Sequence, residues 1–182
     1  MKLYICRHGE TDGNVNKIVQ GSGLDIPLND KGRAQAEMLK EIMSPLRLRV
    51  VYCSTMTRAR QTAEIVASGM GAKVEEVEGV QEIHYGDAEG MYSCDVEEKY
   101  KDILNIIRDE SNPNFRTAHL PNAESVSDSL ERAYKAFDKI KREAKSEKAI
   151  IVMHGGIMYN IYYDQFGLKR SFANCDYFVL EW

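Results

Sequence analysis

No stretch of this sequence is apolar enough, for long enough, to span a bilayer, which takes about 20 largely apolar residues. The first apolar run, Leu3-Tyr4-Ile5-Cys6, meets Arg7 and Glu10 too soon to form the core of a signal peptide. Proline is scarce, and no Pro/Gly-rich linker, internal repeat or low-complexity tract divides the chain. A basic excess is also missing: the formal net charge of -4 argues against a nucleic-acid partner. Lys139, Lys141, Arg142, Lys145 and Lys148 are interleaved with Asp138, Glu143 and Glu147, so they read as a solvated helix face rather than a patch for RNA or phospholipid. Cys6, Cys53, Cys94 and Cys175 form no C-x-x-C pair and have no zinc-ligand spacing, so no metal is expected. Cys6 and Cys53 lie in apolar runs, where cysteine acts as a small buried hydrophobe. Free thiols in a reducing compartment follow, and a soluble cytoplasmic protein is the expectation.

What remains is a chain of 182 residues with 43% hydrophobic content, enough for a sizeable core and suited to one domain over residues 1–182. Short apolar runs alternate with helical periodicities. Strands are predicted over Leu3–Cys6, Val50–Cys53, Val74–Val77, Ala149–Met153 and Tyr177–Leu180. Between Lys31 and Leu46, Ala34, Met38, Leu39, Ile42, Met43 and Leu46 recur at helical spacing, with Pro45 helping to end the helix. Ser54 or Thr55 is a candidate N-cap for a helix carrying Ala59, Thr62, Ala63 and Val66. Another helix is expected from Ser93 or Asp95 to about Arg108, stopped by Ser111-Asn112-Pro113. Val126, Leu130, Ala133, Phe137 and Ile140 form a clear helical stripe, and a last helix should follow Gly156 to about Phe166. Strands alternating with helices imply an α/β fold with a mostly parallel sheet covered on both faces.

Two strands end alike. Leu3–Cys6 runs into Arg7-His8-Gly9, and Ile150–Met153 into His154-Gly155-Gly156. As parallel neighbours they would deliver both imidazoles to the carboxyl edge of the sheet, where open α/β sheets bind ligands. Gly9, Gly155 and Gly156 would then let the backbone approach a ligand. A third strand end leads into a helix whose first turn carries Arg58, adding a cation to the free N–H groups of a helix start. Two histidines and two arginines, Arg7 and Arg58, suit phosphoryl transfer, in which charge spreads over three equatorial oxygens. Neutral His8 would attack phosphorus through one ring nitrogen while the other donates to a backbone carbonyl. Glu82 is the carboxyl best placed to act as general acid and then base. Each residue also has a plainer reading: a capped surface histidine, a helix-surface arginine, one acidic residue among 28, or turn glycines at Gly86 and Gly90.

Arg7-His8-Gly9-Glu10-Thr11, with Asn14 following, resembles the signature of the histidine phosphatase superfamily, also called phosphoglycerate mutase-like. The resemblance continues in order through Gln20-Gly21 and Asp25–Asn29, Gly32–Ala36, Ser54–Thr62, Glu82–Gly86 with Glu89-Gly90, Glu124-Ser125 with Arg132, His154–Gly156 and Asn174-Cys175. It implies a three-layer α/β/α sandwich and a metal-independent phosphatase with no cofactor, acting on a small-molecule phosphate ester. It also implies that His8 is the nucleophile, that Arg7, Arg58 and His154 complete the phosphate pocket, and that Glu82 is the proton donor. Asn14, Gly21 through its backbone, and Gly155 would line that pocket. Two positions depart from the family pattern. Ala123 stands where Gly is usual, and Ala88 stands where an aromatic is frequent, which would remove bulk near the pocket mouth. The length leaves little room for the insertions of the mutases, so the chain is most similar to the short phosphatase branch, and within it to the α-ribazole phosphatase group. His84, Tyr85, Tyr92 and Tyr100 are candidates to shape the pocket or simply to pack the core. Three other readings stay open: mutase-type phosphotransfer, a non-catalytic phosphate-binding module, and a metallo-hydrolase built on His8, His84 and His154.

Overall fold

A computed structural model describes all residues, 1–182. Five strands form one sheet: β1 (Lys2–Arg7), β2 (Val50–Cys53), β3 (Lys73–Glu76), β4 (Lys148–Met153) and β5 (Tyr177–Glu181), in the order β3-β2-β4-β1-β5. All neighbours pair in parallel except β5, which runs antiparallel to β1 along one edge.

The alternation of side chains across the strands divides the core in two. On one face Leu3, Ile5, Ile151, Met153 and Phe178 pack under helices α6 (Val126–Glu143) and α7 (Gly155–Phe166). On the other, Cys6, Val51, Cys53, Ile150 and Val152 pack under α2 (Asp30–Met43) and α3 (Thr57–Ser68). The result is a three-layer α/β/α sandwich: the sheet covered on both faces that the alternating pattern implied, in the form that the family resemblance implied. Every residue of the α6 stripe from Leu130 to Ile140 is buried. A short helix, α1 (Asp12–Val15), follows β1, and α4 (Ser93–Lys99) and α5 (Lys101–Arg108) cover a satellite cluster of Ala88, Val96, Leu104 and Leu120.

Four expectations need correction. The helix expected from Ser93 to Arg108 is two helices, because Tyr100 leaves helical backbone at φ -117° and ψ 23°. The α2 stripe is narrower than its apolar residues suggested: Leu39 and Met43 are buried, whereas Met38 and Ile42 face outward, and the α-helix ends at Met43 with Ser44–Leu46 as a tighter turn. Neither Ser54 nor Thr55 caps α3. Its N-cap is Met56, and the Asp25 carboxylate from a separate loop accepts from the Thr57 N–H at 2.8 Å. Finally, β3 spans Lys73–Glu76, one residue earlier than expected.

The segment after β1 is fixed by glycine. A Cβ on Gly9 would stand 2.3 Å from the Gly32 carbonyl oxygen, and one on Gly32 would stand 2.1 Å from the Glu10 carbonyl oxygen. The start of α2, capped by Asn29 onto the Gly32 N–H, therefore docks backbone to backbone against the residues that follow His8. Gly9 is required by this packing.

Candidate active site

β4 lies between β2 and β1, so the chain segments leaving the carboxyl ends of these three strands are adjacent. β1 ends at Arg7 opposite Met153 of β4, and the His8 N–H continues the ladder to the Met153 carbonyl at 3.0 Å. His8 and His154 thus emerge side by side, their ring centroids 5.1 Å apart. Arg58 arrives from the start of α3, after β2. All three are enclosed: His8 is 3% exposed, His154 0% and Arg58 1%.

His8, Arg58 and Arg7 are each held from behind, leaving one side unpartnered. A carbonyl only accepts, so the 2.6 Å contact between His8 Nδ1 and the Gly9 oxygen puts the proton on Nδ1 and the lone pair on Nε2. The His8 carbonyl accepts from the Cys175 N–H at 3.3 Å and from Asn174 Nδ2 at 3.1 Å. Arg58 donates to the carbonyls of Gly21 (2.7 Å) and Leu24 (2.8 Å), and Arg7 to that of Phe172 (2.6 Å). The Nε of each arginine and both ring nitrogens of His154 are buried with no protein partner. Buried polar atoms are almost always satisfied, so four unpaired ones in one place describe a cradle for a polyanionic group.

The electrostatics agree. Burial, then the charges of Arg58 and Arg7, hold the His8 imidazole well below its usual value, against the opposing Gly9 hydrogen bond. His154 is lowered in the same direction, first by burial and then by Arg58. Both rings are therefore neutral near pH 7. Their depressed values also carry a stability consequence. Between those values and about 6.5, the unfolded chain binds more protons than the folded one, so stability rises with pH through that window. It is present in full above about 6.5 and is lost on acidification by up to about 1.4 kcal/mol per pH unit for each imidazole. Urea midpoints at pH 7.5 and 5.5 should show this loss, and it should shrink in His154→Gln. Equal losses in the two proteins would assign it elsewhere.

Glu82 is half-buried beside the start of α7. Its carboxylate accepts from the N–H groups of Gly156 (3.0 Å) and Ile157 (2.9 Å) at the start of α7. The two glycines there are needed for contact with side chains: a Cβ on Gly155 would stand 3.0 Å from Arg7 Nε, and one on Gly156 would stand 2.3 Å from the Tyr85 hydroxyl. Asn14 is the third residue of α1, and its Oδ1 receives the Thr11 N–H and Asn174 Nδ2, which ties it to the His8 segment. Gly21 adopts φ +56° and fixes Arg58 through its carbonyl. A Cβ there would stand 1.9 Å from Glu89 Oε1.

Other expectations place differently. Ala88 has no exposed surface and lies inside the satellite cluster, so its small side chain serves packing rather than opening the pocket mouth. Ala123 and Tyr100 pack against the same cluster. His84 lies on the surface, its Nδ1 3.1 Å from Glu89 Oε1, apart from the paired imidazoles. No three His, Cys, Asp or Glu side chains are grouped so as to hold a metal ion. All four cysteines are free, and no helix is long and apolar enough to cross a membrane.

Several supports were not singled out from sequence. Thr62 Oγ1 accepts from the Gly9 N–H at 3.0 Å and donates to the Arg58 carbonyl at 2.8 Å, joining the two strand ends. Its i+4 spacing from Arg58 on α3 was the available signal. In the sequence Asn174 stands out only beside Cys175 before the last strand, and Glu89 only beside a glycine. Neither has a local pattern that reveals its partner.

Among known proteins, the family model of the histidine phosphatase superfamily (branch 1) matches residues 3–181. The chain is 32% identical over 168 residues to phosphoglycerate mutase-like protein 4 of Arabidopsis thaliana, covering 88% of this chain and 69% of that protein. It is 31% identical over 157 residues to the uncharacterized phosphatase PhoE of Bacillus subtilis, covering 86% and 73%. The solved α-ribazole phosphatase of Shigella flexneri superposes with a TM-score of 0.81 over 100% of this chain and 90% of that one, a likeness of fold at 21% identity.

Proposed function

The chain belongs to the histidine phosphatase superfamily, and on that premise we propose that it hydrolyses small-molecule phosphate monoesters, without a metal, through a phosphohistidine on His8. One observation carries the reading: two neutral imidazoles lie 5.1 Å apart beside two arginines whose Nε atoms have no partner. In the first step His8 Nε2 attacks phosphorus and the bond to the leaving oxygen breaks, with Glu82 giving that oxygen a proton. Arg7, Arg58 and His154, with Asn14 beside them, bear on the equatorial oxygens as charge spreads onto them. In the second step Glu82 takes a proton from water, water oxygen bonds to phosphorus, and the P–N bond breaks to return neutral His8. Gly21 and Gly155 act through the backbone, one fixing Arg58 and the other making room for Arg7.

The test is to mix the enzyme with a 32P-labelled monoester in excess EDTA and quench in alkali, where phosphohistidine survives. Labelled protein that loses its label in acid is expected. An unlabelled protein that turns over, or turnover that EDTA abolishes and added metal restores, would refute the route. The same pocket serves phosphotransfer wherever water is excluded, so 3-phosphoglycerate is the discriminating substrate. Release of inorganic phosphate favours hydrolysis, and isomerisation favours the mutase. α-Ribazole phosphate is the first specific ester to assay, on the strength of the Glu82–Gly90 and Asn174-Cys175 segments. The four free thiols fit a reducing compartment such as the cytoplasm.

A further inference from the structure

Glu82 lies on a stretch with no helix or strand of its own, between the end of β3 and Gly86. A proton donor on irregular backbone has to be aimed by something else, since a misplacement of about 1 Å can cost about a hundredfold in rate. One side chain makes three of the bonds that hold this stretch. Arg132, on α6, donates through Nη1 to the carbonyls of Gly79 (2.7 Å) and Gln81 (2.9 Å), and through Nη2 to that of Glu82 itself (3.1 Å). Its Nε and Nη2 also grip the Glu124 carboxylate, Nε at 2.9 Å. Glu124 closes the other side: its Oε1 accepts from the His84 N–H at 2.9 Å, and its own N–H donates to the His84 carbonyl at 2.9 Å. The pair is mostly enclosed, with side chains 25% and 17% exposed. Its base is rigid, because Ser125 and Asp128 close a capping box at the start of α6 immediately after Glu124.

We infer that Arg132, with Glu124 as its partner, is the positioning residue that aims the Glu82 carboxyl at the leaving-group oxygen. This rests on the proton-transfer role proposed for Glu82. Glu82 is then fixed at both ends, its carbonyl from α6 and its carboxylate from α7. The planar guanidinium fork is what the geometry uses. A lysine keeps the charge but places three donors on one atom, and these cannot serve three carbonyls and a carboxylate together.

The test compares Arg132→Lys and Glu124→Gln with wild type on phosphomonoesters of falling leaving-group acidity, from 2,4-dinitrophenyl to alkyl. Rates are normalised to the phosphohistidine formed per mole of protein. Alkyl phosphates should lose roughly 10- to 100-fold in kcat/KM, which reports the step in which the leaving group departs. For the dinitrophenyl ester, whose leaving group needs no proton, kcat/KM should be nearly unaffected, and inhibition by inorganic phosphate should stay at the wild-type level because Arg7, Arg58 and His154 are untouched. A residue that only supports the fold would lower all rates together or reduce the active fraction. If one variant fails to fold, the other gives the same readout. Glu82→Gln, run alongside, separates two failures. If Glu82→Gln discriminates between leaving groups and the Arg132 and Glu124 variants do not, the positioning role falls alone. If none of the three discriminates, the role of Glu82 falls with it.

Discussion

Replacing His8 with alanine is expected to lower kcat/KM by roughly a thousandfold or more, because in the proposed route it deletes the atom that bonds to phosphorus. The anion cradle should outlast the change. Arg7 and Arg58 are held through the carbonyls of Phe172, Gly21 and Leu24, none of which involves the His8 side chain. The contacts that position residue 8 itself run through its main chain, to Met153, Cys175 and Asn174, so a folded variant is expected. Inorganic phosphate should therefore bind His8→Ala within a few-fold of its wild-type affinity by calorimetry, while alkali-quenched protein carries no label. A folded His8→Ala protein that turns over near the wild-type rate would remove the phosphohistidine from the reaction.

The parts of this fold that could be read from sequence are those that repeat locally. β1 and β4 are buried on both faces, so each is a continuous apolar run ending in His-Gly, and their parallel pairing brings the two rings together. The α6 stripe was equally plain because α6 packs along one whole side on the sheet. What could not be read depends on contacts with no period. The cap of α3 comes from Asp25, 32 residues away, so no residue next to the helix announces it. Met38 and Ile42 keep helical spacing yet face outward, because α3 and the sheet cover only the Leu39–Met43 side of α2. Tyr100 breaks a helix that composition alone would continue. In the site, His8, His154, Arg7 and Arg58 could be found because each directly follows or ends a strand or opens a helix. Thr62, Asn174 and the Arg132–Glu124 pair act on other residues' backbone across large sequence separations, and only the folded chain reveals what they hold.

Arg58→Met should lower kcat/KM by about a thousandfold, at the upper end of the loss that follows removal of one preorganised donor to a developing oxyanion. The side chain is 1% exposed, so the deleted charge acts without solvent screening. The variant should also change how the rate depends on pH. Burial is the first cause of the lowered His8 value, and Arg58 is the largest of the charges that add to it. Without Arg58 the His8 value rises toward the ordinary imidazole range. His8 attacks only as the neutral ring, so the acidic limb of the kcat/KM profile should move to higher pH, and the deficit against wild type should widen as pH falls. Arg58→Lys separates charge from geometry: an ammonium restores the field near His8 but does not reproduce the paired bonds to the Gly21 and Leu24 carbonyls. Its acidic limb should therefore return toward wild type while much of the rate deficit remains. If the acidic limb of Arg58→Met coincides with that of wild type, burial and Arg7 suffice to keep His8 neutral, and Arg58 serves only to hold the phosphoryl group.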